Sequence, residues 1–272
     1  MDRYFRPRSL SEALDILAEH APQPLAGGTD LYPALTGAQA WGPRAAADWM
    51  DISGLTALRG ISGLRIGALV TWSEVASAAL PPSLRALQQA ARQVGGRQVQ
   101  NRGTVLGNLC NASPAADGVP PLLILDAEIE LASAAGLRRL PLSNFLRGNR
   151  DTARRPDELA VALHIPPLPE GESRFEKLGA RRQLVISIVM AAGLLRMAGG
   201  RIAEARLAVG SCSAVARRLG SLEAAMAGAT PDEARGIIAG ADLRLTPIGD
   251  IRGTAEYRLA AARTLAARSL GL

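Results

Sequence analysis

Leu25-Ala26-Gly27-Gly28-Thr29-Asp30-Leu31 is the stretch on which the fold turns. A short apolar segment, Leu25-Ala26, runs into two glycines, and Leu31 to Leu35 has the composition to begin a helix. Consecutive glycines let a backbone approach a phosphate closely, and successive free N–H groups form an anion-binding nest. The start of the following helix adds a partial positive charge, and Thr29 supplies a hydroxyl donor. Taken alone, the heptapeptide is equally an ordinary strand-to-helix turn. It is not a GxGxxG dinucleotide fingerprint, and it lacks the lysine of a Walker loop.

A second stretch gives the first its meaning: Thr104-Val105-Leu106-Gly107-Asn108-Leu109-Cys110-Asn111-Ala112-Ser113-Pro114-Ala115-Ala116-Asp117. It sets Thr, Gly, two Asn, Ser and Asp between apolar segments, with many short hydrogen-bonding side chains and little bulk. That composition suits wrapping a polar cofactor, and it also suits a long polar loop leading into a capped helix. Thr104 to Gly107 is predicted to be strand-like, and Ser113-Pro114 to be an N-cap followed by a first-turn proline.

Around these stretches the chain alternates between helical and strand periodicity. Ser9-x-x-Glu12 predicts a capping box ahead of Leu10, Ala13, Leu14 and Leu17, with an exit near His20. Leu64 to Val70 alternates as a strand, Ser73 and Glu74 open a short helix, and Pro82 to Val94 has helical spacing before Gly95-Gly96. Ala127 to Ala132 and Leu159 to Ile165 are predicted strands. Pro166-Pro167 and Pro169-Glu170-Gly171-Glu172 make the best linker. Beyond it, Phe175 to Lys177, Ile186 to Met197 and Ile202 to Val209 predict three antiparallel strands, with Gly199-Gly200 as a hairpin turn. Pro231 to Ala239 and Gly253 to Leu270 predict helices. Strands and helices are mixed in every third of the chain, so the class is α+β.

Composition narrows the functions. The 272 residues suffice for one large or two to three small domains, and 48% are apolar. No apolar run approaches the ~20 residues of a membrane-spanning helix, and the start lacks a secretory apolar region, which predicts a cytoplasmic protein. Lys and Arg exceed Asp and Glu by 31 − 25 = 6, with Lys177 as the single lysine. Aromatics are 3% of the chain, so the interleaved Arg and aromatic stripe of a nucleic-acid binder is absent. Cys110 and Cys212 are too few for an iron–sulfur cluster on this chain, and His20 and His164 lack metal-ligand spacing. No metal site is expected, and redox chemistry here needs a bound organic cofactor.

Taken together and in order, the two stretches resemble the FAD-binding medium subunits of the xanthine dehydrogenase and carbon monoxide dehydrogenase family of molybdenum hydroxylases. The resemblance continues at Ile66-Gly67-Ala68-x-x-Thr71, at Phe175-Glu176-Lys177 with Arg181-Arg182, and at Asp250-Ile251-Arg252-Gly253-Thr254-Ala255-Glu256-Tyr257-Arg258. It implies a two-lobed FAD-binding domain of the vanillyl-alcohol-oxidase-like (PCMH) type over residues 1–168, with lobes of about 1–55 and 56–168. A C-terminal domain over 169–272, with a three-stranded antiparallel sheet and helices, would follow.

By the same resemblance, Leu25, Ala26, Gly27, Gly28, Thr29, Asp30 and Leu31 lie along the FAD diphosphate. Gly95 and Val99 stand near the flavin. Thr104, Gly107, Asn108, Cys110, Asn111 and Asp117 hold the pyrophosphate, ribityl and adenosine side, and Lys177 faces the isoalloxazine as a tuning cation. Where some relatives carry an aromatic side chain by the ring, this chain has Val94 and Val185. No residue here is expected to act in substrate catalysis. The implied partners are a small subunit with two [2Fe–2S] clusters and a large molybdopterin subunit, assembled as a dimer of heterotrimers. A stand-alone FAD-dependent oxidoreductase and a nucleotide-binding module without flavin are the alternatives.

Overall fold

The computed structural model of the chain describes residues 3–36, 47–167 and 171–272, and the middle of the predicted linker, Leu168 to Glu170, lies outside them. The first sheet is built from β1 (Tyr4–Phe5), β2 (Gln23–Leu25) and β3 (Trp49–Asp51), with β3 central and parallel to both neighbours. Helix α1 (Leu10–His20) connects β1 to β2 and buries Ala13 and Leu17; α2 (Leu31–Thr36) follows β2. Ser9 caps α1 by accepting from the Glu12 N–H, but the Glu12 carboxylate reaches back to the Arg8 N–H, so only half of the predicted capping box forms.

The second sheet is antiparallel where its long strands meet. Its strands are β4 (Ile61–Ser62), β5 (Arg65–Gly67), β6 (Glu128–Ser133), β7 (Gly136–Pro141) and a strand over Leu159–His164, in the order β4, β5, Leu159–His164, β6, β7. Between β5 and β6 run α3 (Trp72–Ser77), α4 (Arg85–Ala91), α5 (Arg97–Gln100), α6 (Val105–Asn111) and α7 (Val119–Ile124). A short α8 (Leu142–Phe145) and a ribbon of β8 (Leu146–Gly148) and β9 (Asp151–Thr152) follow β7, and the Leu159–His164 strand is β10.

Two expectations fail in this stretch. Thr104 to Gly107 is not a strand: the Thr104 hydroxyl accepts from the Gly107 N–H at 3.0 Å and starts α6, so the β-branched pair Thr104-Val105 serves a helix cap. Ser113-Pro114 does not begin a helix either. Ser113 accepts from the Ala115 N–H in a local turn, and the next helix starts at Val119 with Pro120 and Pro121 in its first turn. The predicted strand at Leu64 to Val70 shrinks to β5, and α3 starts one residue before Ser73, under a full capping box of Thr71 and Glu74.

The C-terminal sheet has four strands rather than three: β11 (Glu172–Leu178), β12 (Val189–Ala198), β13 (Arg201–Gly210) and the two-residue edge β14 (Arg217–Arg218). The Gly199-Gly200 turn joins β12 to β13 as expected. Helices α9 (Gly220–Met226), α10 (Pro231–Gly240) and α11 (Ala255–Ser269) complete the chain; Thr254 rather than Gly253 caps α11.

Strand β12 is apolar on both faces. Met190, Ala192 and Leu194 join the core shared with the N-terminal part, against α7, whereas Val189 and Ala191 face α11. At Gly193 the α11 side is so close that a Cβ would stand 2.7 Å from the Ser269 carbonyl oxygen. Outside the core, Asp126 accepts from Arg206 and from Arg218, each at 2.5 Å, and so pins the turn after α7 to β13 and β14.

Gly193→Ala is therefore expected to destabilise the protein by about 1–3 kcal/mol through overpacking. Gly220→Ala, where nothing lies within 4 Å of the added methyl, is expected to stay within about 0.5 kcal/mol. Urea unfolding of the two variants checks both.

Candidate functional site

The turn after β2, the loop before α5, the N-terminal half of α6 and the loop before β12 enclose a cleft of about 790 Å³. That volume lies within the range of pockets that enclose sizeable organic ligands. Leu25, Ala26, Gly27, Gly28, Thr29, Asp30 and Leu31 form one wall. Gly95, Val99, Thr104, Gly107, Asn108, Cys110, Asn111 and Asp117 contribute the facing surfaces. The cleft thus gathers every residue expected at the cofactor except Lys177.

The two glycine-bearing stretches touch. A Cβ on Gly27 would sit 2.0 Å from the Arg102 carbonyl oxygen, so only glycine allows the turn after β2 to lie against the turn that leads into α6. Gly28 has φ +72°, a left-handed conformation with Tyr32 packed beside it. The N–H groups of Gly27, Thr29 and Asp30 make no hydrogen bond to a described residue. Asn108 lines the same cleft, and its Oδ1 is buried and likewise without a partner among the described residues. Free backbone donors at a close-approach turn suit a phosphate, and the unpartnered amide oxygen lining the same cleft can accept from a hydroxyl or N–H of the same ligand.

Asp117 is the electrostatic centre of the far wall. Its Oδ1 accepts from Ser187 Oγ at 2.5 Å and its Oδ2 from Lys177 Nζ at 2.6 Å, and Lys177 also donates to the Gln93 carbonyl at 3.2 Å. Burial pushes the Asp117 carboxyl up, against the pull of Lys177 and Ser187. Both carboxylate oxygens are therefore already engaged, and Lys177 stands behind the cleft wall instead of lining it. Its visible work is to hold Asp117 and the segment that leads to Gly95.

The segment Asp250 to Arg258 also acts from behind. Arg258 is buried and donates to the carbonyls of Ile188 (2.6 Å) and Ser211 (3.1 Å) and to Asp250 Oδ1 (2.7 Å). The Arg252 N–H, then Arg258 and Arg252 side chains, hold the Asp250 carboxyl down at about 2. This cluster fixes Ile188, the neighbour of the Ser187 that touches Asp117.

Sequence reasoning missed Arg150, Thr152 and Arg154, which line the cleft from the β8–β9 ribbon. Among so many arginines they carried no distinguishing signal. Val94 and Val185 do line the cleft, beside Leu184 and Ile186, so this end is aliphatic. The Cys110 thiol is pushed up to about 11 by burial and is held neutral. His20 packs on Phe5, and His164 hydrogen-bonds Glu130 at 2.8 Å; neither lines the cleft. Among the described residues no cluster of His, Cys, Asp and Glu could hold a metal ion.

The family model described as the FAD binding domain in molybdopterin dehydrogenase matches residues 1–168, and that of the CO dehydrogenase flavoprotein C-terminal domain matches 174–271. The chain is 35% identical over 218 residues to the xanthine dehydrogenase FAD-binding subunit of Escherichia coli O157:H7, covering 76% of this chain and 73% of that one. It is 29% identical over 273 residues to the nicotine 6-hydroxylase medium subunit of Paenarthrobacter nicotinovorans, covering 98% and 95%. Among solved structures it resembles a carbon monoxide dehydrogenase from Hydrogenophaga pseudoflava with a TM-score of 0.90 at 27% identity, over 99% of this chain and 96% of that one.

Lys177→Met strands the buried Asp117 carboxylate, and removal of one partner of such a pair costs about 3–5 kcal/mol. Without its cation the folded carboxyl rises further above its unfolded value. The native state then binds more protons than the unfolded one, and stability falls as pH rises through that interval. The variant's deficit in urea unfolding is expected to be largest at pH 7 and to shrink towards pH 4.

Proposed function

This chain belongs to the family of FAD-binding subunits of molybdopterin dehydrogenases, and on that basis we propose that it is the electron-transfer flavoprotein of a molybdenum hydroxylase. The observation that carries the reading is the cleft itself: it is lined by N–H groups at Gly27, Thr29 and Asp30 and by Asn108 Oδ1, none with a hydrogen-bond partner among the described residues. FAD, when bound, supplies a carrier that takes up and gives out one or two electrons. Gly27, Thr29 and Asp30 would donate to its diphosphate, with Leu25, Ala26, Gly28 and Leu31 shaping the turn. Thr104, Gly107, Asn108, Cys110 and Asn111 would hold the middle of the cofactor. Gly95, Val99, Val94 and Val185 would border the ring and keep water from it.

Asp117 and Lys177 take a different part from the one their sequence positions imply. With both oxygens of Asp117 occupied, the pair fixes the cleft wall and presents little net charge to the ring. Lys177 is accordingly a positioning residue in this reading.

The remaining parts of the proposal rest on family membership. Residues 1–168 form the FAD-binding domain, of the two-lobed PCMH type, and 169–272 the C-terminal domain. The partners are a small [2Fe–2S] subunit and a large molybdopterin subunit, in a cytoplasmic dimer of heterotrimers. Among the described residues no helix is long and apolar enough to cross a membrane. Purification of the protein from its native host tests the whole: flavin absorbance, acid release of FAD rather than FMN, and co-purifying iron–sulfur and molybdenum subunits are expected. A colourless chain that takes up no FAD would overturn the reading, and a yellow chain without partners would replace it by a stand-alone flavoprotein.

Asn108→Ala separates binding from folding. Loss of one hydrogen bond to the cofactor, about 1.4 kcal/mol, should weaken FAD binding about tenfold. The cofactor-free chain should melt no lower than the parent, because the deleted oxygen has no partner among the described residues. Flavin titration and thermal melts of the stripped protein provide the two readouts.

A further inference from the structure

The two segments that supply the aliphatic end of the cleft are rich in arginine and carry no acid. Residues 91–104 and 178–188 contain Arg92, Arg97, Arg102, Arg181 and Arg182 and not one Asp or Glu. Arg92 is engaged with the Ala76 carbonyl at 2.8 Å. Arg97, Arg102, Arg181 and Arg182 are exposed, and none makes an ion pair with a described residue. Arg97 follows the cleft-lining Gly96, and Arg102 precedes the cleft-lining Gly103. Arg181 donates through Nε to the Leu184 carbonyl at 3.0 Å, which holds the loop that carries Leu184 against Gly96. Among the described residues, two carboxylates line the cleft: Asp117 is paired with Lys177, which leaves Asp30 as its unpaired acid, while Arg150 and Arg154 line it as well.

Leu184 and Ile186 are 51% and 53% exposed although both line the cleft. An apolar lip inside a concavity receives a small molecule more readily than a protein surface. Exposed arginines on the segments that carry this lip favour multiply charged phosphate- or carboxylate-type anions.

We propose that this mouth selects a small, multiply negative electron acceptor, with Arg97, Arg102, Arg181 and Arg182 as the specificity-determining groups. The proposal rests on the reading that FAD is held in the cleft. Field focusing by same-sign charge at a cleft raises the encounter rate of an opposite ion and is lost on screening by salt.

The test uses the FAD-loaded protein as isolated, reduced with dithionite, freed of excess reductant and mixed anaerobically with hexacyanoferrate(III) or hexaammineruthenium(III). These probes carry opposite triple charges. Each takes one electron, so two are consumed per reduced FAD oxidised, and the flavin's hydrogens leave as protons to solvent. The bimolecular rate constant for the trianion is expected to fall about tenfold from low to high salt, and that for the trication to rise. Arg97→Glu combined with Arg182→Glu should reverse both trends, while Arg97→Lys with Arg182→Lys should preserve them. Independently of electron transfer, calorimetry should show saturable binding of the redox-inert trianion hexacyanocobaltate(III), lost in the glutamate variant. Equal, salt-insensitive rates for the two probes, or unchanged trianion binding in the glutamate variant, would overturn the proposal. FAD release from the same preparation keeps the two failures apart: no FAD removes the underlying reading, whereas FAD without charge preference removes only this one.

Discussion

A buried carboxylate is the constraint on which much of this structure depends. Asp117 ends the loop that follows α6, and its two oxygens are held by Ser187 and Lys177, which lie 70 and 60 positions away in sequence. An uncompensated charge at that depth is too costly to keep, so both partners must be delivered to it. One comes from β11 and the other from the loop before β12, and the same lysine also binds the Gln93 carbonyl. The far wall of the cleft is consequently set by the C-terminal sheet. The sheet's own anchor, Arg258 on the Ile188 and Ser211 carbonyls, adds a second layer to the same arrangement.

Much of the fold could be read from sequence where side-chain periodicity and turn chemistry agreed. The strands around Gly199-Gly200 and the helix after Ser9 emerged nearly in place. Failures occurred where one residue type serves two conformations. Thr104-Val105 has strand propensity, but the Thr104 hydroxyl satisfies a helix N–H, and that tertiary choice has no periodic signature. Ser113-Pro114 has the composition of a cap, but its hydroxyl closes a turn first. The edge strand Arg217–Arg218 is too short to have any period.

The cofactor cleft was legible in a different way. Gly27, Gly28 and Thr29 announce a close-approach turn, whereas the match across the cleft rests on family resemblance because nothing local joins residue 28 to residue 108. Lys177 shows the limit. A single lysine in an arginine-rich chain invites a functional role, and the geometry gives it one at Asp117 that no spacing rule predicts. Arg150 and Arg154 show the reverse: two cleft residues hidden by abundance.

Strand β12 has a further consequence. Because Met190, Ala192 and Leu194 complete one core while Val189 and Ala191 complete the other, the strand is a party wall between two rooms that stand or fall together. Separate family models match 1–168 and 174–271, but the wall belongs to both stretches. A chain cut between them would leave one half with a roofless core and the other with a bare apolar sheet. Cooperativity of melting therefore extends across the boundary at which the sequence divides.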